Sequence, residues 1–319
     1  MQPEELLESV KIPSIRVCWT QWVGLGSPAS PTDSGHGRSI IDLEALLAFS
    51  LYLSTEERRL RDMAGWWARV ASQLTSVQRF RALCNQFPGD EGRRGFEAFA
   101  AMAAATGDKR WARHAGGTAL EGGGFQKGRG KPNLIEPCTL WLRLRAGLGV
   151  GAKADVLAYL LGSGGAWASV NTIAFSTGYS SVTIRKAVSE MAMARLIRET
   201  QRRPSEYQAP PEPWWDLLGR SSERKGGKTG FEPPRWRYWL ETFAFLVGVM
   251  EWSRLATASP ETNPFLLASK ARDLMEKAQR AFALNSLPTP PPEAFPGRQA
   301  PHGLAETTEI VLGWMEDVV

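Results

Sequence analysis

Apolar residues recur every three to four positions through much of the first 114 residues. Such spacing places apolar side chains on one face of an amphipathic α-helix. The pattern is clearest in four stretches, at residues 41–53, 60–71, 77–87 and 96–104. We therefore expect residues 1–114 to form a helical N-terminal domain. Its expected large core residues are five tryptophans: Trp19, Trp22, Trp66, Trp67 and Trp111.

The last part of the chain has the same periodicity. Residues 236–255, 264–284 and 304–318 each predict a helix, and a Pro-rich segment precedes the last of them. We expect residues 235–319 to form a C-terminal helical domain. Two segments without periodicity are predicted linkers. One is the Gly-rich, basic stretch 115–133, and the other is the polar stretch 220–234.

Residues 134–219, between these linkers, form the third predicted domain. A helical stretch at 135–150 precedes a helix over residues 153–161. Ser169 is suited to cap a short helix, because its hydroxyl can accept a hydrogen bond from a free backbone N–H. That helix ends at a tight turn, in which Gly178 tolerates a positive φ.

A second short helix is predicted to begin after Ser180. Its apolar residues Ile184, Val188 and Met191 lie at positions i, i+4 and i+7, so they share one face. Residues 196–200 and 205–209 are predicted strands joined by a turn, which gives a two-stranded wing. The other face of the helix carries short polar and basic side chains: Ser181, Thr183, Arg185, Lys186 and Ser189.

This order of elements, and residues 169–198 in particular, resembles the MarR/ArsR-like winged helix-turn-helix transcription regulators. The resemblance covers about a fifth of the chain, residues 151–209. It implies that the last helix enters the major groove of DNA with the five polar and basic residues named above. It also implies that Arg202 and Arg203, at the wing tip, lie on the adjacent backbone. Arg195 departs from the family, which often has Gly there, and a positive φ would strain an arginine.

Charge is concentrated in the middle of the chain. Residues 109–230 contain 19 Lys and Arg against 9 Asp and Glu, whereas residues 1–108 contain 11 against 13 and residues 231–319 contain 8 against 11. A basic segment within an otherwise balanced chain is expected of nucleic-acid binding. A solvated basic surface without a partner is the alternative.

The side-chain chemistry agrees with DNA recognition. Arg185 can offer two donors to the O6 and N7 atoms of guanine. Lys186, Arg198, Arg202 and Arg203 suit phosphates, which position a protein without specifying sequence. We therefore predict a transcription regulator that binds double-stranded DNA. A homodimer is expected, since one helix reads few base pairs, and the helical domains would dimerise or sense an effector that the sequence does not identify.

A second hypothesis is a non-enzymatic protein–protein interaction module. Winged helices also bind proteins, and an antitoxin-like or defence-system scaffold would have the same sequence features. A third hypothesis places an enzyme on the helical domains, and it requires polar residues that converge in a deep pocket. The sequence shows no such cluster, so we predict no catalytic residues.

Neither a cofactor nor a metal is predicted. The three histidines lie far apart and lack a second Cys or His at ligand spacing. Residues 222–229 and 147–152 only partly match phosphate-binding and dinucleotide-binding motifs. Cys18, Cys84 and Cys138 lie among apolar neighbours and are expected to be small core residues.

Composition sets the broad class of protein. The chain is 43% hydrophobic and 22% charged, as is typical of globular domains. No apolar run approaches the length of about 18 residues that a membrane span needs, and the first residues lack the order of a secretory signal. The scattered cysteines do not form a disulfide framework, so we expect a cytoplasmic protein without membrane contact.

Overall fold

A computed structural model of the protein describes residues 2–27, 39–116, 130–218, 234–258 and 263–318. These residues are mainly helical and include one small antiparallel sheet of three strands, which confirms the predicted predominance of helix. Most of the two predicted linkers, at 117–129 and 219–233, and the partial phosphate-binding motif at 222–229 lie outside the described residues.

Five α-helices form most of the N-terminal part that the structure describes. Side-chain caps explain three of their starts, because the side chains of Asp42, Glu57 and Ser76 accept hydrogen bonds from the backbone N–H groups of Ala45, Arg59 and Arg79, respectively. The bounds are α1 Pro3–Gly24, α2 Leu43–Leu53, α3 Arg58–Val70, α4 Val77–Gln86 and α5 Glu91–Ala105. The sequence pattern did not predict where α1 begins and ends.

The central part contains both helices and strands. Its helices are α6 Leu140–Leu148, α7 Ala152–Gly162, α8 Val170–Thr177, α9 Ser181–Met193 and α10 Pro211–Leu217. Its strands are β1 Ala168–Ser169, β2 Arg198–Glu199 and β3 Glu206–Gln208, in the spatial order β1-β3-β2. The prediction of a two-stranded wing was therefore incomplete, because the sheet has three strands. β1, which lies directly before α8, is a third strand that pairs with β3.

Among the described residues, the C-terminal part contains three α-helices, α11 Trp239–Ala258, α12 Pro264–Leu284 and α13 Ala300–Val318. They do not have a core of their own. α11 packs along α1, and Phe243 stacks on Phe49 of α2 with 4.3 Å between ring centroids. One continuous apolar cluster thus joins α1–α5 with α11–α13, so the predicted N-terminal and C-terminal helical domains share a hydrophobic core.

A second apolar cluster holds α6–α9 and the sheet together. The five tryptophans expected as anchors are buried in the first cluster, as predicted. The three cysteines are buried as well, and they are free thiols. No helix within the described ranges combines the length and the apolar character that a bilayer span requires.

Candidate nucleic-acid interface

Helix α9 is fixed at its start by a turn and a cap. Gly178 has a φ of 75° and ends α8, and its N–H donates to the carbonyl oxygen of Ala174. Glycine adopts this left-handed conformation without the strain that a Cβ atom causes. Two residues later, the hydroxyl of Ser180 accepts a hydrogen bond from the backbone N–H of Thr183. The start of α9 is therefore defined by local sequence, as predicted.

The apolar face of α9 lies against α7 and α8. Ile184, Val188 and Met191 are buried, as their spacing predicts, and Ala187 is buried beside them. Fully burying such side chains stabilises a protein by about 1.5–3 kcal/mol each. This packing fixes the rotation of the helix about its axis and determines which residues face outward.

The outward face of α9 carries most of the predicted contact residues. Thr183, Arg185, Lys186 and Ser189 are exposed. Ser181 is only half-exposed, and its hydroxyl donates to Oδ1 of Asn171 at 3.3 Å. Four of the five predicted positions are thus open to a ligand, and the fifth is partly engaged by α8.

The hairpin of β2 and β3 places three further arginines beside this helix. Arg198 is exposed on β2, and Arg202 and Arg203 are exposed in the turn. The backbone N–H of Thr200 donates to the carbonyl of Glu206, and the Thr200 hydroxyl accepts from the N–H of Glu206. These two bonds close the base of the turn, so the two turn arginines project from a fixed hairpin.

Electrostatic effects on Tyr207 relate the helix to the hairpin. Burial and the nearby carboxylate of Glu199 raise the pKa of Tyr207, whereas the charge of Arg185 opposes that rise. The charge of Arg185, on α9, thus acts on a tyrosine of β3. We refer to Arg185, Lys186, Arg198, Arg202 and Arg203 as the cationic surface.

The charge of the cationic surface is only partly opposed by acidic side chains, because Lys186 acts on Glu190 of the same helix. None of its five residues forms an ion pair within the described part of the chain. Glu190, the acidic residue of α9, is paired with Lys153 at 2.7 Å, and the bond to Lys153 holds the pKa of Glu190 below its usual value. Because Glu190 is bonded to Lys153 rather than to Lys186, the five basic side chains remain available to an anionic partner.

Sequence reasoning missed two residues on this surface. Val182 is 72% exposed at the start of α9, although it is apolar. Its position two residues before Ile184 places it on the far side of the helix, so the periodicity could have identified it. Arg195 is exposed and adds a sixth basic side chain.

The departure from the family at Arg195 has a structural consequence. Arg195 has a φ of 58°. Its N–H donates to the carbonyl of Ala192, and the N–H of Leu196 donates to Met191, which is the Schellman arrangement that ends many helices. Glycine is the usual residue at this position, so the arginine is held in a strained conformation.

A buried ionic cluster underlies the turn that leads into α9, and no sequence motif indicated it. Arg145 of α6 is 2% exposed and donates to Asp155 of α7 at 2.8 Å and to Glu44 of α2 at 2.6 Å. The hydroxyl of Tyr179 donates to the same Asp155 at 3.0 Å. Arg79 of α4 completes the cluster through Glu44 at 2.9 Å.

Electrostatics keep this cluster charged. Burial alone would raise the pKa of Glu44, but the guanidinium groups of Arg145 and Arg79 outweigh burial and hold it below the usual value. Burial and Asp155 raise the pKa of Tyr179, so its hydroxyl remains a proton donor. The cluster therefore ties α2, α4, α6 and α7 to the residue just ahead of the α9 cap.

The structure gives no grouping of metal ligands among the residues it describes. Comparison of the chain with protein-family models, with curated proteins and with solved structures finds no match.

Proposed function

We propose that this protein is a non-enzymatic transcription regulator that binds double-stranded DNA through a winged helix formed by α7–α9 and β1–β3. The order helix, strand, helix, helix, strand, strand agrees with that plan. The observation that carries the proposal is the cationic surface, where five exposed basic residues without ion-pair partners among the described residues lie on α9 and the adjacent hairpin.

The dimensions of α9 suit the major groove. Thirteen residues at about 1.5 Å each give a helix about 20 Å long, and its diameter with side chains is about 10–12 Å. The major groove of B-DNA is about 12 Å wide. The short side chains of Thr183 and Ser189 allow a close approach, and Val182 can contact the methyl group of thymine.

The basic residues divide into two roles. Arg185 and Lys186 lie on the helix that would occupy the groove, where an arginine can read guanine through two hydrogen bonds. Arg202 and Arg203 lie in the hairpin turn and would contact phosphates, which increase affinity for every sequence. A second copy of the chain is proposed as the partner, because two half-sites give the specificity that one helix lacks.

Selection from a pool of random duplexes tests this function. The unaltered chain should enrich a motif of several base pairs, arranged as two half-sites if it binds as a dimer. Arg185→Ala combined with Lys186→Ala should remove that preference while a melting curve shows that the fold is retained. Recovery of random sequences by the unaltered chain would contradict the proposal.

Arg58→Ala combined with Arg61→Ala is the matched control. Both residues are exposed on α3, which packs against α1, α2 and α5 rather than against α9. The control removes the same charge from the molecule as the α9 double variant. It should enrich the same motif as the unaltered chain.

An exposed apolar group on the same surface favours the alternative of a protein partner. Val182 is 72% exposed, Met193 82% and Leu196 40%. Protein interfaces use apolar side chains of this kind at their centres. A protein-binding module would show no salt-dependent affinity for DNA, and Val182→Asp would abolish its complex while the two α9 alanines would weaken it less.

A further inference from the structure

Asn171 is an exposed residue in the first turn of α8. Ser169 caps this helix, because its hydroxyl accepts a hydrogen bond from the backbone N–H of Thr172 at 3.2 Å. Ser169 is also the last residue of β1 and pairs with Glu206 of β3. Since β1 and the cap hold the start of α8 in place, the fold fixes the position of Asn171.

The side chain of Asn171 contacts the first residue of α9. The Ser181 hydroxyl donates to Oδ1 of Asn171 at 3.3 Å, and no residue in the described part of the chain accepts a hydrogen bond from Nδ2. A carbonyl oxygen has two lone pairs, so Oδ1 can accept a second hydrogen bond. The exposed amide therefore offers one acceptor position and two N–H donors to a partner.

This contact places Asn171 at one end of a row of side chains on α9. Ser181 and Arg185 are four residues apart, so they lie on the same side of the helix. The hydrogen bond from Ser181 puts the Asn171 amide beside the start of that row. Helix α8 thus adds a neutral amide to a surface whose polar side chains on α9 are hydroxyls and cations.

The amide has the hydrogen-bonding pattern that adenine requires. In the major groove adenine presents the N7 acceptor beside the N6 amino donor, so it can bind Nδ2 and Oδ1 together. Guanine presents two acceptors, thymine one acceptor and cytosine one donor, so none of them pairs with both atoms. Arginine and lysine side chains have donors only, so the cationic surface does not supply this pattern.

We propose that Asn171 reads an adenine in the DNA site, which extends base recognition from α9 to α8. This inference rests on the proposed function. In helix-turn-helix complexes the first residues of the second helix contact base edges, and Ser181 is the first residue of α9. Four helical residues span about 6 Å, and base pairs are about 3.4 Å apart. The adenine should therefore lie within about three base pairs of the base that Arg185 contacts.

Selection from random duplexes by the unaltered chain and by Asn171→Ala tests this assignment. The unaltered chain should select a motif in which an adenine lies close to a guanine. Asn171→Ala should lose the preference for that adenine and keep the preferences at the other positions. Asn85→Ala is the matched control, because Asn85 is an exposed asparagine on α4, which packs against α2 and α5. It should select the same motif as the unaltered chain.

Affinities for single duplexes measure the size of the effect. Replacing the A·T pair by G·C should raise the Kd of the unaltered chain about fivefold or more, which corresponds to about 1 kcal/mol. The same replacement should leave the Kd of Asn171→Ala unchanged. Asn171→Asp has nearly the same shape and keeps an oxygen for Ser181, but it lacks the N–H donors. It should also lose the preference for adenine, and its melting temperature should not fall.

The outcomes distinguish this inference from the proposed function. If Asn171→Ala kept the same preference at every position, the adenine assignment would be overturned and the proposed function would stand. An equal loss of affinity for all duplexes would also overturn the assignment, because that result indicates a phosphate contact. If the unaltered chain selected no motif, the proposed function and this inference would both be contradicted.

Discussion

Replacing Arg145 by leucine tests the importance of the buried ionic cluster. Arg145 is the central cation, and it also donates to the carbonyl oxygen of Leu74 at 3.1 Å. The substitution removes four donated hydrogen bonds and leaves Glu44 and Asp155 without their shared partner. Breaking a buried pair by removing one partner costs about 3–5 kcal/mol.

This loss is large compared with the stability of an ordinary domain. Native proteins are stable by about 5–15 kcal/mol, so the substitution removes a substantial part of that free energy. Guanidinium unfolding followed by circular dichroism should show the loss at pH 7. At about 1.5 °C for each kcal/mol in a chain of 319 residues, the melting temperature should fall by roughly 4–8 °C.

The same variant has a predicted pH dependence. The pKa of Glu44 lies below its ordinary value of 4.5 in the folded protein. Its pairing therefore contributes stability that is fully present above pH 4.5 and is lost as pH falls through the lowered pKa. The difference between the unaltered chain and Arg145→Leu should be largest near pH 7 and should shrink below pH 4.5.

Arg143→Leu is the matched control, because Arg143 is a half-buried arginine on the same helix with no ion pair among the described residues. It should change the free energy of unfolding by less than about 1 kcal/mol. Equal losses in the two variants, or a loss below 1 kcal/mol for Arg145→Leu, would refute the role assigned to the cluster.

Three further substitutions give smaller effects that unfolding curves can measure. Arg195→Gly should stabilise the chain by about 0.5–1 kcal/mol, since glycine relieves the positive φ; a destabilised variant would contradict the strain. Gly92→Ala should destabilise by about 1–3 kcal/mol, because its Cβ would lie 2.5 Å from the backbone oxygen of Cys84. At Gly147 of α6 an added Cβ would meet nothing within 4 Å, so Gly147→Ala should stabilise the chain by about 0.5–1 kcal/mol. If the two glycine substitutions changed the free energy of unfolding in the same direction, the packing described at these positions would be refuted.

The sequence predicted helix α9 because its signals are local. The apolar residues of α9 follow a helical period, and the caps at Ser169 and Ser180 are formed by side chains adjacent to the backbone groups they accept from. The exposed basic positions follow directly from that period. Local periodicity and capping thus predict both α9 and most of its outward face.

The remaining features depend on contacts between distant segments. β1 has two residues, too few for an alternating pattern, and it is a strand only because β3 lies beside it. Arg145 pairs with Glu44, which is 101 positions away, and its own helix gives no sign that it is buried. The shared core of α1 and α11 likewise depends on packing that amphipathic patterns do not specify.

Salt dependence of DNA affinity tests the central claim most directly. The logarithm of the binding constant for the selected duplex should fall linearly with the logarithm of salt concentration. Arg202→Ala combined with Arg203→Ala should reduce that slope by about 2, since each phosphate contact contributes about 0.9. An unchanged slope and an unchanged Kd in this variant and in Arg185→Ala/Lys186→Ala would contradict DNA binding by this surface.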